Sequence, residues 1–522
     1  MKHYLRPFSF AVLAVCSCNS SSPSNPAPAP TQQDDTIAKV IAEVGGCLSK
    51  KCGPANEEFF SNEKYAKVSI TFSQADIQAL EDAKDWQDLA WNKWKSQCGN
   101  AEWIPVNMVY DPGDGGKTWE LNKVAMRMRG SKSRGSNPLG GFKVDYNEFL
   151  PKEVDRRFAD MNRLDLLSNE KDPTDILQCL AYKLERDFGL NAPKCNHVQV
   201  TIDGQIYGMM ESIETAKDKR YLERHFANPE GPLFGASTGK AVCGYPSSQA
   251  DFVYKGDAFN EDYKKTYEIE RGTEDDAAKY LFPMVKCMDS VETPNDEDFE
   301  ACIKEWIDVD EWLKLIAAES LMPAAETFVG ARRNAYLYFE PNDFAPHGGY
   351  MHIWGWDYDT AFQRQPCYPA PASVDAPICG DPFKDVTAWY GPRGTRSKAV
   401  VRLTTVFKKR YCELMNEFLE KIYEPEKVTQ MANVIKPGMA NDPVMAAQGW
   451  DWQTEVQGMH DFMVKRRAAM KAVVASMCSG DAPITGVAGA PGVAGSPGGV
   501  AGGPSQRAVL SSNGGAGGAK SN

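Results

Sequence analysis

Fourteen cysteines in 522 residues constrain this chain more than any other feature. Cys16 and Cys18 close a short apolar run at the start. The other twelve are spread from Cys47 to Cys478, an even number that fits disulfides formed in an oxidising compartment. The near pairs Cys47/Cys52, Cys287/Cys302 and Cys367/Cys379 are the first bridges expected, because each closes a loop of modest length. Zinc is the competing use of cysteine and finds little support. No Cys-x-x-Cys follows the leader, and His197, His225, His347, His352 and His460 show no close ligand spacing.

The leader agrees with export. Lys2 and Arg6 precede an apolar run over 8–15 that is too short to span a bilayer permanently. Its end, Leu13-Ala-Val-Cys-Ser-Cys18, resembles a bacterial lipoprotein signal in which Cys18 becomes the lipidated first residue; plain secretion with ordinary cysteines is the alternative. The expected order is a signal over 1–18, a Ser/Pro-rich tether over 19–35, an N-terminal extension over 36–64, a folded domain over 65–480 and a Gly/Ala/Pro-rich disordered tail over 481–522. The tail holds four Gly-x-x triplets over 486–497, too few for a collagen helix. The protein is therefore expected outside the cytoplasm or at the cell surface, touching the outer or cytoplasmic membrane through a lipid anchor alone, since no later stretch has the ~20 apolar residues of a spanning helix.

Lys and Arg total 58 against 70 Asp and Glu, a net charge of −12, which argues against nucleic acid as a partner. Alternation predicts strands over 65–72, 121–129, 336–339 and 350–354, and a hairpin over 198–210 turning at Asp203-Gly204. Helical spacing predicts helices over 74–82, 174–188, 310–321, 402–423 and 454–477. Strands with interleaved helices followed by a helical C-terminal part indicate an α+β fold.

Two constellations carry chemistry. Lys123, Arg127, Arg129, Lys132 and Arg134, with Gly130, Ser131, Ser133 and Gly135 among them, stand in a stretch over 121–144 that is free of acidic residues. On a strand Arg127 and Arg129 point the same way, and a Gly/Ser loop can return Arg134, which suits a phosphate group. A solvated basic strand edge is the alternative. The second is Trp354-Gly-Trp356-Asp357-Tyr358-Asp359-Thr360. Two carboxylates one residue apart at a strand end would share a face, where hard oxygens suit Mg²⁺ or Mn²⁺; a salt bridge to an arginine is the alternative. Other templates fail. Gly235-x-x-x-Gly239-Lys240 is one residue short of a P-loop, and neither Gly-x-Ser-x-Gly nor His-Glu-x-x-His occurs.

Arg129-Gly-Ser-Lys-Ser-Arg134, Asn162-Arg-Leu-Asp-Leu, Tyr207-Gly-Met-Met-Glu-Ser-Ile-Glu214, Asn334-Ala-Tyr-Leu-Tyr338 and Trp356-Asp-Tyr-Asp359 occur in this order. Together they resemble the spore-coat-protein-H (CotH) kinase family over about 65–423. The resemblance implies an atypical protein-kinase-like fold of two lobes and transfer of phosphate from ATP, with Mg²⁺ or Mn²⁺, to Ser or Thr of secreted, coat or surface proteins. It implies that Arg127, Arg129, Ser133 and Arg134 hold the phosphates and that Glu214 orients a cation or ribose group. Asp357 would hold the metal with support from Asp359. Glu326 stands nearest the family's catalytic aspartate, one methylene longer. Lysines usual before the strand at Phe142 are replaced by Leu139-Gly-Gly141, and a further Leu-Tyr-Lys by Leu233-Phe-Gly235; Arg332 and Arg333 are candidates to restore the charge. An active exported kinase and an inactive surface lipoprotein with a structural or adhesive role are both consistent with these residues. Arg129, Arg134, Glu214, Asp357 and Asp359 are expected to converge on one pocket.

Overall fold

The computed structural model describes residues 47–81, 101–129, 140–168, 172–236, 250–324, 326–362 and 397–480, with positions 39, 40, 44 and 383. The expected signal, tether and tail lie outside the described residues, as do Ser133, Arg134, Cys367 and Cys379.

Ala66, Val68, Ile70 and Phe72 alternate with exposed residues, so β1 (Ala66–Phe72) has one apolar face to bury. Six more strands supply matching faces: β2 (Ile104–Asp111), β3 (Trp119–Met128), β4 (Phe142–Asp145), β5 (Arg163–Ser168), β6 (Cys195–Ile202) and β7 (Gln205–Glu214). They close into a barrel in the order β1-β2-β3-β4-β5-β7-β6, antiparallel except where β1 meets β6. Closure removes the exposed sheet edges that such strands would otherwise present. Val68, Val106, Met126, Phe142, Leu164 and Met210 fill the interior. The β6–β7 hairpin turns at Asp203 (φ 48°) and Gly204 (φ 80°), as the sequence predicts for a two-residue turn. The Asp203 carboxylate also accepts the Phe72 N–H at 3.1 Å, tying the turn to β1.

A second sheet, entirely antiparallel, runs β11-β10-β8-β9, from β8 (Leu233–Ala236), β9 (Glu268–Arg271), β10 (Ala335–Pro341) and β11 (Gly349–Gly355). The Leu177–Asp187 helix lies between β6 and β7 on one side and the Val309–Leu321 helix on the other. It ends at Gly189 (φ 82°), where the Leu190 N–H reaches the Glu185 carbonyl at 3.0 Å. The helix expected over 402–423 is broken into Lys398–Val406 and Lys408–Glu417 with a π turn at Phe418–Ile422, because Phe407 leaves helical geometry at ψ 30°. The last helix, Trp452–Ser479, starts on an Asp451 cap that accepts the Thr454 N–H at 2.8 Å.

The fold is α+β, with its helical part at the C-terminal end. Cys47–Cys52 and Cys287–Cys302 are bridged as expected. Cys179–Cys195 and Cys412–Cys478 are bridged too; the second closes a separation of 66 residues that spacing does not suggest, whereas the first, at 16, is as near as Cys287–Cys302 at 15 and is not among the bridges expected. Among the described residues no helix is long and apolar enough to cross a membrane.

Candidate active site

Strand register builds the first half of the site. Arg127 on β3 stands opposite Lys143 on β4, Lys143 opposite Asp165 on β5, and Asp165 opposite Ile213 on β7. Directly paired residues share a face, and their neighbours Met126, Val144 and Leu164 fill the barrel, so this charged row lies on the barrel's outside. Arg129, two residues beyond Arg127, keeps the same face, and its N–H continues the ladder to the Gly141 carbonyl at 2.8 Å.

The other half comes from the second sheet. β11 ends at Gly355, and Asp357 follows in a left-handed conformation (φ 65°) that strand alternation does not describe. The expectation that Asp357 and Asp359 share a strand face is therefore corrected: the chain has left the sheet before either. The Trp356 N–H is held by the Asn334 carbonyl at 2.8 Å and the Asp357 N–H by the Tyr182 hydroxyl at 3.1 Å. Tyr358 between the two aspartates is fully buried. Its hydroxyl lies between Glu185, with which it makes a short contact, and Glu319 at 3.1 Å. One hydroxyl proton serves one carboxylate, and burial pushes Glu319 up to about 7 and Glu185 well above its ordinary range. A side chain at Gly355 would strike the Tyr358 oxygen at 1.9 Å, so this anchor requires glycine.

The halves meet at Arg129. Its Nε faces the Asp165 Oδ1 at 3.6 Å, its Nη2 faces the Asp357 Oδ1 at 3.8 Å, and its guanidinium lies 5.5 Å from the centre of the Trp356 ring. Asp359 also acts on the Arg129 charge. Asp357 remains about one-third exposed, open to a ligand. Carboxylate oxygens beside a fixed guanidinium form a hard, anionic donor set that fits Mg²⁺ or Mn²⁺ through Asp357 and Asp359.

Of the five residues expected to converge, Arg129, Asp357 and Asp359 come together, and Arg134 lies outside the described residues. Glu214 does not join them. It pairs with Leu164 and shares the barrel-interior parity of Met210, the opposite side of the sheet from Asp165. Its carboxylate is taken by Arg224 at 2.5 Å, His225 at 3.2 Å and the Lys194 N–H at 3.1 Å. Burial would raise this acid, but the His225 hydrogen bond and the Arg224 charge outweigh it and hold it at about 2, so where a cation or ribose role was expected the carboxylate is engaged in an internal ion pair. Glu326 forms a pair with Arg333 at 2.5 Å, while its carbonyl accepts from Asn334 at 2.7 Å. Arg333 is thus committed to Glu326 and does not restore the family's missing charge. Gly141 cannot carry that charge either, since a side chain there would meet the Leu166 carbonyl at 2.6 Å. Lys143, two residues further along on the same face of the sheet, brings a positive charge to this region. Arg127 is drawn away from Asp357, 4.1 Å above the Trp103 ring.

A family model described as CotH kinase protein matches residues 126–470, well over half of the chain. The chain belongs to the CotH kinase family. Nothing among curated proteins matches it. A solved chain from the Shewanella oneidensis MR-1 toxin–antitoxin complex of HipA, HipB and operator DNA is similar at 12% identity, over 85% of this chain and 93% of that one. Its TM-score of 0.31 is too low to bear on the fold of this CotH chain.

Sequence reasoning missed Lys143, Asp165, Tyr182 and Glu211. Asp165 lay within a quoted motif. Lys143 and Glu211 could have been noticed as charges inside otherwise apolar strands, which must be paired or neutral once buried. Glu211 is fully buried beneath the site and accepts the Cys179 N–H at 2.9 Å. Burial first, then Asp172 and Asp359, push it up to about 8. The Cys179, His197 and Glu211 donor atoms lie within 4.8 Å of one another, but the Cys179 sulfur is bonded to Cys195 and is no metal ligand in this state.

Proposed function

We propose that this CotH-family protein is an atypical protein kinase, transferring phosphate from ATP to Ser or Thr of a secreted, coat or surface protein. The observation that carries this reading is the meeting of Arg129 from the barrel rim with Asp357 from the end of the second sheet. Residues 228 positions apart have no local reason to meet, and a guanidinium beside paired carboxylates is the electrostatic requirement of phosphoryl transfer. Arg129 binds a phosphate oxygen and is kept in place by Asp165 and the Trp356 ring. Asp357 and Asp359 hold the divalent cation, fixed from behind by Tyr182 and Tyr358. The bound cation would supply neutralisation of charge on the phosphate oxygens.

Export and a lipid anchor at Cys18 are part of the proposal, and the four disulfides among the described residues support an oxidising compartment. A second reading, a catalytically weak surface lipoprotein, is favoured by Glu326. It stands where the family has its catalytic aspartate, and it is engaged by Arg333.

Asp357→Asn decides between them. It removes one charge and keeps the shape, so Mg²⁺-dependent nucleotide binding and phosphate transfer should fall at least 100-fold while the circular dichroism spectrum stays unchanged. The kinase reading fails if purified wild-type protein transfers no phosphate to itself or to exported proteins with Mg²⁺ or Mn²⁺.

A further inference from the structure

A cavity of about 150 Å³ opens on the barrel's outer face beside Arg129, far larger than the roughly 10–15 Å³ that one water requires. Its walls carry Arg127, Lys143, Arg163 and Lys217 against a single carboxylate, Asp165. Arg127 and Lys143 are directly opposed across β3 and β4, an arrangement of like charges that costs stability. The fold itself gains nothing from it.

The other charges are already committed. Arg163 pairs with Asp145 at 2.6 Å and Lys217 with Glu270 at 2.7 Å. One oxygen of Asp165 accepts from the Thr215 hydroxyl at 2.9 Å and the other faces Arg129. Arg127 is fixed in advance by the Trp103 ring and by donation to the Ala101 carbonyl at 3.3 Å. Among the described residues Lys143 has no carboxylate of its own. Burial pushes its amine down to about 8, and Lys217, Arg129 and Arg127 push the same way against the pull of Asp165.

We propose that this cavity is a second anion subsite, separate from the metal carboxylates, which holds a phosphate group directly on Lys143, Arg127 and Lys217. The Asp165–Arg129 pair is the wall between the subsites: Arg129 turns towards Asp357, and Asp165 lines the cavity. A dianion placed there meets Arg127 and Lys143, whose positions the sheet already fixes, and Lys217, which Glu270 holds at the cavity from the turn after β7, so it replaces the Arg127–Lys143 repulsion with attraction and needs no metal. The subsite deepens the phosphotransferase reading and rests on it for the source of the phosphate. That source is either the non-transferred part of the nucleotide's chain or a phosphate already present on the acceptor.

Titration of the full chain with pyrophosphate, metal chelated, tests the proposal. Saturable binding is expected, weakened at least tenfold by Lys143→Gln and severalfold by Lys217→Gln, and retained in Asp357→Asn. Competition identifies the source: displacement by ADP assigns the subsite to the nucleotide, and displacement by a phosphoserine peptide but not by ADP assigns it to the acceptor. Absence of saturable binding, binding indifferent to both lysine variants, or binding lost in Asp357→Asn overturns the proposal. A protein that binds pyrophosphate in this way but transfers no phosphate would refute the kinase reading alone.

Discussion

Glu211 and Glu214 stand three residues apart on β7, both completely buried, and face opposite sides of the sheet. Glu214 meets Arg224 and His225 and is held at about 2; Glu211 meets backbone N–H groups and other acids and is pushed to about 8. Burial is the same, so the partners alone decide the charge. On the interior-parity side the carboxylate is a fixed anion that ties β7 to the Lys219–His225 helix. On the cleft side burial pushes Glu211, Glu185 and Glu319 above their ordinary range, and they pack beneath the turn that carries Asp357 and Asp359. The difference shows that two glutamates on one strand take opposite roles by facing: the motif residue Glu214 is engaged in an internal ion pair, and Glu211, three residues before it, lies on the cleft side.

The largest expected effect comes from breaking the charged member. Glu214→Gln leaves the Arg224 guanidinium buried beside a neutral amide and should cost about 3–5 kcal/mol, read by urea unfolding at pH 7. A loss under 1 kcal/mol would place the pair among weak surface contacts. Tyr358→Phe sharpens the neutral side. It removes the hydroxyl between Glu185 and Glu319 and should cost about 1–3 kcal/mol, with weaker Mg²⁺-dependent nucleotide binding because the Asp357 and Asp359 turn loses its anchor.

The pH dependence of stability separates the two classes next. Glu214 lies below its ordinary 4.5, so its contribution is present above that value and is lost as pH falls towards 2. Glu319 and Glu211 lie above 4.5, so theirs is complete below it and is lost as pH rises through about 7 and 8. Stability should therefore decline on both sides of about pH 5. The smallest effect is expected from Glu211→Gln, which imitates the protonated acid. Stability at pH 5 should change by about 1 kcal/mol or less, while part of the decline between pH 5 and pH 8 disappears. An unchanged slope would mean that Glu211 is ionised in the fold.

The sequence by itself determined the secondary structure that alternation or helical spacing encodes. The β1 strand, the Asp203-Gly204 hairpin, the Leu177–Asp187 helix and two of the four described disulfides were all legible because each is a local pattern. The ordered motifs likewise identified the family and named Arg129 and Asp357, whose side chains meet, and Asp359, whose charge acts on Arg129. Tertiary structure decided the rest. Which face of β7 turns to the cleft depends on its register with β5, and that register assigned Glu211 to the site and Glu214 to an ion pair. Whether β3 closes into a barrel, and so sets Arg127, Lys143 and Asp165 in one row, depends on pairings between strands that are distant in sequence. The left-handed turn at Asp357 depends on Tyr182 and on Tyr358 burying its hydroxyl among acids from two helices. A linear pattern records which residues are charged. Only packing fixes which charges face one another, and the free energy of a charge is set by its neighbours.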